Sequence, residues 1–359
     1  MENNFEPNCL PLLIGSIPLT DHQEATELVL EYTPQIPLWV QLPHFSHEGM
    51  ISQFLPGMPG YSIENGNEYI QTGNEEFHTD LVEFYEEYMA VTENYKDLNE
   101  SKFAMDNKRA QGFFTLMEKL QAGVEGISAV KGQITGPITF ATGVKDQNKK
   151  AIFYEEQIRD AAVKHLGLIA AWQTEQLSRF NLPVIVFFDE PALAGFGSSE
   201  FISISKKEVM DCFSEVNQYV QQRGGLTGIH VCANADWSII LDSETNILSF
   251  DAYCFFDKLL IFSDSLKKFL QRGGQIAWGI VPTQNKEDID RESVENLYSM
   301  FTKQLQELSQ NSNLSQQQIM QQTYITPSCG TGSLDRERAE KVLALTRGVS
   351  DQVRANLIQ

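Results

Sequence analysis

The sequence predicts an α/β fold, a (β/α)8 TIM barrel with a long helical insertion between strands 2 and 3. Three observations carry that expectation. Eight short runs rich in β-branched and aromatic residues recur along the chain, with helical patterns between most of them. Each run looks buried rather than alternating, as a parallel strand covered on both faces should. The length, 359 residues, suits one large barrel or two average domains, and the regular alternation favours a single barrel domain over 1–359.

In chain order the predicted strands are Leu12–Ile14, Leu38–Gln41, Ala129–Gln133, Val184–Phe188, Leu226–Val231, Ile247–Phe250, Gln275–Gly279 and Thr323–Thr326. Between them, Ile158, Ala162, Leu166 and Ile169 share one helical face, as do Ala339, Val342, Leu343 and Thr346. Gln-Arg-Gly-Gly occurs at 222–225 and again at 271–274, each time after a helical run and before a strand. Glycine just past a helix end accepts the left-handed conformation that satisfies the last carbonyls, so both copies read as αβ turns. One connection is out of proportion. Residues from about 44 to 128 separate the second and third strands, far more than a βα unit needs. Helical pieces are expected there around Asp80–Tyr88 and Arg109–Gln121. From Glu64 to Glu100 this insertion holds eleven acids and one lysine, Lys96. It reads either as a solvated helical excursion or as a lid or partner surface over the barrel mouth.

Composition narrows the function classes. With 42% hydrophobic and 21% charged residues the chain is neither disordered nor a disulfide-stapled miniprotein. A net charge of −21 argues against nucleic acid or an anionic membrane surface as partner. No apolar run approaches 18 residues, and the N-terminus shows no charged, apolar-cored secretion signal, so a cytoplasmic protein is expected. Five scattered cysteines are then free thiols or metal ligands.

In such a barrel the chemistry sits at the C-terminal strand ends. The fifth predicted strand ends in Ile229-His230-Val231-Cys232. Residues two apart in an extended segment point the same way, so His230 and Cys232 can share an ion. The eighth ends in Pro327-Ser328-Cys329-Gly330-Thr331-Gly332, which offers a third soft ligand on the same face. One imidazole and two thiolates suit Zn2+. A lone H-x-C is equally a buried histidine beside a structural cysteine; the strand-end Cys329 tips the reading toward metal. The sixth strand runs into Asp251-Ala252-Tyr253-Cys254, so Asp251 or Cys254 supplies a fourth ligand, or that position is open to water. Cys9 and Cys212 lie away from strand ends and read as inert thiols.

Taken together, His230-Val-Cys232, Cys329-Gly330, Asp189-Glu190-Pro191-Ala192-Leu193, Thr135-Gly136-Pro137-Ile138-Thr139 and Ile14-Gly15-Ser16-Ile17-Pro18 carry a resemblance. They resemble the catalytic barrel of the cobalamin-independent methionine synthase family, within the superfamily shared with uroporphyrinogen decarboxylase and methylcobamide methyltransferases. The similarity runs from about Leu12 to Val349. It implies a zinc-dependent thiol S-methyltransferase, methylating a homocysteine-like thiol to a methionine-like product in methionine biosynthesis. By that resemblance His230, Cys232 and Cys329 are zinc ligands and catalytic residues, and Asp251 falls nearest the acidic fourth ligand. Ile14 and Ser16 match the segment that holds the substrate carboxylate, and Asp189 and Glu75 match the acids that hold its ammonium. Physically, a zwitterion does need donors at one end and carboxylates at the other. Gly15-Ser16 would also serve as a plain strand-end turn, and Asp189 as a capping acid.

The chain departs from that family in two ways. It is about half the length of the full plant and bacterial enzymes, and it is strongly acidic where they accept a polyanionic folate tail. The methyl donor is therefore either a methyltetrahydrofolate or a methyl-corrinoid protein. Two other readings compete: a uroporphyrinogen decarboxylase-like enzyme, and a corrinoid-protein-binding barrel without turnover. The first needs arginines for many propionates, and the segment around Ile14–Pro18 has none.

Overall fold

A computed structural model describes residues 5–196, 201 and 203–357. The first regular strands, β1 (Tyr61–Glu64) and β2 (Asn67–Ile70), form an antiparallel hairpin inside the insertion. Six further strands follow: β3 (Val130–Thr135), β4 (Val184–Asp189), β5 (Leu226–Val231), β6 (Ile247–Phe250), β7 (Gln275–Val281) and β8 (Thr323–Pro327). They lie parallel and in sequence order, each beside the next, in one curled sheet with helices in the connections. Those six match the six predicted strands from Ala129 onward.

The first two predicted strands do not form as such. Leu12–Ile14 and Leu38–Gln41 make only single parallel bridges: Pro11 with Ile325 of β8, Ser16 with Gln41, and Leu38 with Lys131 of β3. Proline explains the interruption. Pro7, Pro11 and Pro18 punctuate one segment and Pro34, Pro37 and Pro43 the other, and each removes a backbone donor that a ladder would use. The sheet is therefore a curled half-barrel of regular strands, its two edges linked through irregular segments.

Inward-facing Ile185, Phe187, Leu226, Ile247, Ala277 and Tyr324 form one core cluster with Leu10, Leu12, Ile36 and Ala129. A flat sheet could not gather side chains from β4 through β8 onto the two N-terminal segments; curling does. A larger cluster packs the outer face beneath the helices. Both Gln-Arg-Gly-Gly copies are αβ turns as expected, with Gly224 and Gly273 left-handed at φ 77° and 88°.

The insertion is more structured than expected. Its hairpin turns on Asn65-Gly66, both with positive φ, which is the commonest two-residue hairpin signal. Helix Glu75–Thr92 starts at Asn74, whose side chain accepts from the Phe77 N–H, and buries Phe77, Leu81, Phe84 and Val91. It docks outside the sheet, on helices Glu156–Ser178 and Lys206–Gln221: Tyr85 Oη donates to Asp160 at 2.5 Å, and Tyr88 Oη lies 2.7 Å from Tyr219 Oη. Acids of this helix, Glu76, Asp80, Glu83 and Glu86 among them, are exposed. Among the described residues no helix is long and apolar enough to cross a membrane.

Candidate metal centre

Strand register builds the site. Thr135 pairs with Asp189, Asp189 with His230, and His230 with Ser249, so one lateral row crosses β3 to β6 at their C-terminal ends. On this row Asp189 and His230 stand side by side. Two residues after His230 comes Cys232, and the loop after β8 brings Cys329 across. The ligand atoms of His230, Cys232 and Cys329 all lie within 4.8 Å of one another.

The histidine is held from one side and open on the other. Its Nδ1 lies 2.9 Å from Ser249 Oγ, while its Nε2 is buried with no hydrogen-bond partner. When Nδ1–H donates to the serine, Nε2 keeps a lone pair, the form that ligates a metal. Leaving a buried polar nitrogen unpaired is costly, so the orphan has a purpose to find. The thiols agree with it. The Cys329 thiol donates to Cys232, which with help from His230 lowers Cys232, while Cys329, donating beside it, is pushed up. The pair is thus biased toward one thiolate, the ligating form of cysteine. A buried imidazole edge and two adjacent sulfurs are the donor set that zinc takes, and ligand atoms around a tetrahedral zinc stand roughly 3.5–3.8 Å apart. The residues fit the ion. By contrast, burial pushes the Cys9 thiol up and the Cys212 thiol up to about 12, which keeps both inert.

Asp251 is close enough to feel the Cys232 and His230 charges but stands outside the three-residue cluster. Its carboxylate caps helix Ala252–Leu260, accepting from the Cys254 N–H at 2.8 Å, and takes a 3.2 Å bond from Gln284 Nε2. The same Gln284 nitrogen donates to the Cys232 carbonyl at 2.6 Å, tying the cap to the cysteine. Burial raises Asp251 to about 6. Cys254 is exposed.

A cavity of about 220 Å³ opens onto the cluster, lined by Ile14, Ser16, Asp189, His230, Cys232 and Cys329, with Gln41, Pro43, Glu48, Gly49, Met50, Thr135, Pro191 and Gly330. Ser16 is clasped by the loop after Cys329. Its carbonyl accepts from Thr331 N and Oγ1 at 2.9 and 3.0 Å, and its hydroxyl from Gly332 N at 3.3 Å. A Cβ at Gly330 would lie 2.1 Å from Ser16 Oγ, so only glycine permits this approach. Asp189 is half-buried, with its enclosed Oδ1 unpaired among the described residues; desolvation raises it, opposed by His230 and Lys131. Its neighbour Glu190 turns away and serves the fold: it accepts from Ile138 N, Thr139 N and Thr139 Oγ1 at 2.7–2.9 Å, which accounts for the Thr-Gly-Pro-Ile-Thr motif.

Glu75 is not brought to this cavity. It is exposed, in the first turn of the outer helix Glu75–Thr92. The insertion reaches the cavity instead through Glu48, Gly49 and Met50. Glu48 is wholly buried, 2.7 Å from His22 Nε2 and 2.8 Å from the Leu42 N–H it accepts, and Thr135 Oγ1 donates to the Met50 carbonyl. The signal was legible: Glu48 is the sole acid between Glu31 and Glu64, amid aromatic and apolar residues.

No family model matches the chain, and no curated protein matches it. Among solved structures, a Listeria monocytogenes protein described as a candidate vitamin-B12 independent methionine synthase superposes with a TM-score of 0.55. The alignment covers 96% of this chain and 97% of that one, at 11% identity. The two share a fold along nearly their whole lengths.

Proposed function

We propose that the protein is a zinc-dependent thiol S-methyltransferase. His230, Cys232 and Cys329 would hold the metal, and the substrate is a small amino-thiol of the homocysteine type. The observation that carries the reading is the three-residue cluster around the buried, unpaired His230 Nε2, opening on a cavity of small-molecule size. The shared fold with a candidate methionine synthase supports it. On this reading the chain is one barrel domain, with the segments around Leu12–Ile14 and Leu38–Gln41 completing the ring.

Bound there, zinc would supply a Lewis acid that favours the thiolate form of a substrate sulfur at neutral pH. The remaining work falls to the chain. Asp189 Oδ1, buried and free, faces the substrate ammonium, while the Ile14–Ser16 segment, braced by Thr331 and Gly332, faces its carboxylate. Met50 and Pro191 close the cavity with apolar surface and exclude water. Asp251, through Gln284, steadies the Cys232 backbone and is the proposed fourth, acidic member of the site; Glu75, on the outer helix, needs a rearrangement of the insertion to contribute. The methyl donor is a methylfolate or a methyl-corrinoid, and the protein works in the cytoplasm. A uroporphyrinogen decarboxylase-like activity has no use for the cysteine pair, and no arginine lines the cavity.

The test has two steps. Purified protein should contain about one zinc per chain, lost from the Cys232→Ser, Cys329→Ser double variant. The zinc-loaded protein should then methylate homocysteine in a screen offering methylcobalamin and methyltetrahydrofolate. Full zinc retention in the double variant sinks the metal assignment; zinc without turnover on any thiol–donor pair favours the binding barrel.

A further inference from the structure

We propose that Lys131 is a positioning residue for the amino-acid end of this cavity: from inside the sheet its ammonium holds the Ile14 carbonyl and faces the Asp189 carboxylate, setting both ends of the zwitterion clamp at once. The proposal rests on the reading above and adds a residue to it.

Lys131 is the one fully buried lysine or arginine among the described residues. It sits on β3 with Gln133 and Thr135 at alternate, inward positions. Its Nζ donates to Ile14 O at 2.5 Å and to Gln133 Oε1 at 3.2 Å, and stands 4.6 Å from the Phe187 ring centroid. No carboxylate among the described residues comes within ion-pair distance of it. Desolvating an ammonium in this way is expensive, and an apolar side chain of equal volume would pack there at lower cost. Burial lowers Lys131 to about 7, and Asp189 opposes that fall. Asp189 lies two residues beyond Phe187 on the same face of β4. Asp189 in turn has an enclosed oxygen with no hydrogen-bond partner among the described residues. A donor-bearing side chain behind it, fixed to Ile14, steadies where that carboxylate stands.

Ile14 is the other end. Its segment makes no regular ladder, so its carbonyl depends on a side-chain donor, and Lys131 supplies one. Pinning that carbonyl fixes the Ile14–Ser16 turn against the cavity. Lys131 itself does not line the cavity, so it acts through Ile14 and Asp189 rather than on the substrate.

The test compares two thiols on the zinc-loaded full chain by calorimetry: homocysteine, with both charged groups, and 1-propanethiol, with neither. Lys131→Met should weaken homocysteine binding at least tenfold, change propanethiol less than twofold, and leave about one zinc per chain. Equal changes for both thiols, or none, overturn the proposal while the methyltransferase reading stands. Wild-type protein that binds neither thiol overturns that reading and this one with it. Should the variant not fold, lysine-labelled wild type answers the same question by NMR. The Lys131 resonance should shift on adding homocysteine and stay put with propanethiol; no shift with homocysteine overturns the proposal.

Discussion

At His230 the strand and the metal site are one argument. Period two in an extended segment put His230 and Cys232 on one face, and a soft residue at another strand end completed the set, so the three-residue cluster was readable as residues. The support behind them was not, because the partner of the imidazole, Ser249, is set by the β5–β6 register. That serine makes a sharp prediction. Ser249→Ala removes the group that fixes ring orientation and tautomer, and should cost roughly 10–100-fold in zinc affinity with the fold unchanged. Competition against a chelator of known affinity measures it, and an affinity within twofold of wild type would remove Ser249 from the site. Asp251 and Glu75 show the limit of reading ligands by position. Asp251 stands at a strand end, yet that residue also starts a helix, and its carboxylate is engaged by the Cys254 N–H. Glu75 was placed by resemblance, in a stretch whose path through space no periodicity reveals.

Among elements, the six strands from β3 to β8 were legible because each is a short run of buried-looking residues, rich in β-branched and aromatic types, between helical patterns. The N-terminal pair was over-read: their apolar runs are real, but proline leaves each with single bridges. The insertion was under-read, its Asn-Gly hairpin hidden by polar strands with little burial. What anchors the insertion is His165, on helix Glu156–Ser178. Its ring is fully buried among Phe84, Phe103 and Gly57, with Nε2 2.8 Å from the Phe54 carbonyl and Nδ1 unpaired. Burial lowers it to about 4. The unfolded chain, with a histidine near 6.5, therefore takes up the proton first as pH falls. Stability from the neutral ring is complete above about pH 6.5 and is lost progressively down to about pH 4, by about 2 kcal/mol between 6.5 and 5. Urea titrations at pH 7 and pH 5 should show that loss in wild type and a smaller one in His165→Gln. Identical losses in both proteins would assign the acid sensitivity to other groups.

For the whole molecule the net charge of −21 decides which donor can approach. Of the two readings of the acidic insertion, a solvated excursion and a lid over the mouth, the first fits helix Glu75–Thr92, which lies on the outer helices; none of the cavity lining comes from residues 51–128. Its acids therefore act at a distance, as part of the overall field rather than as a local gate. A field of this kind discriminates by donor charge and is screened by salt, over about 10 Å at 0.1 M and about 3 Å at 1 M. A methylfolate with one glutamate adds fewer negative charges than its triglutamate form, so it should show the higher kcat/KM at 0.1 M salt. Raising salt to 1 M should speed the triglutamate more than the monoglutamate and narrow the gap. Because the effect is on encounter, it should appear in kcat/KM with kcat little changed. Methylcobalamin, without the tail, should respond least. A triglutamate donor favoured at low salt would instead require a basic track leading to Met50 and Pro43, and would return a folate tail to the substrate of this barrel.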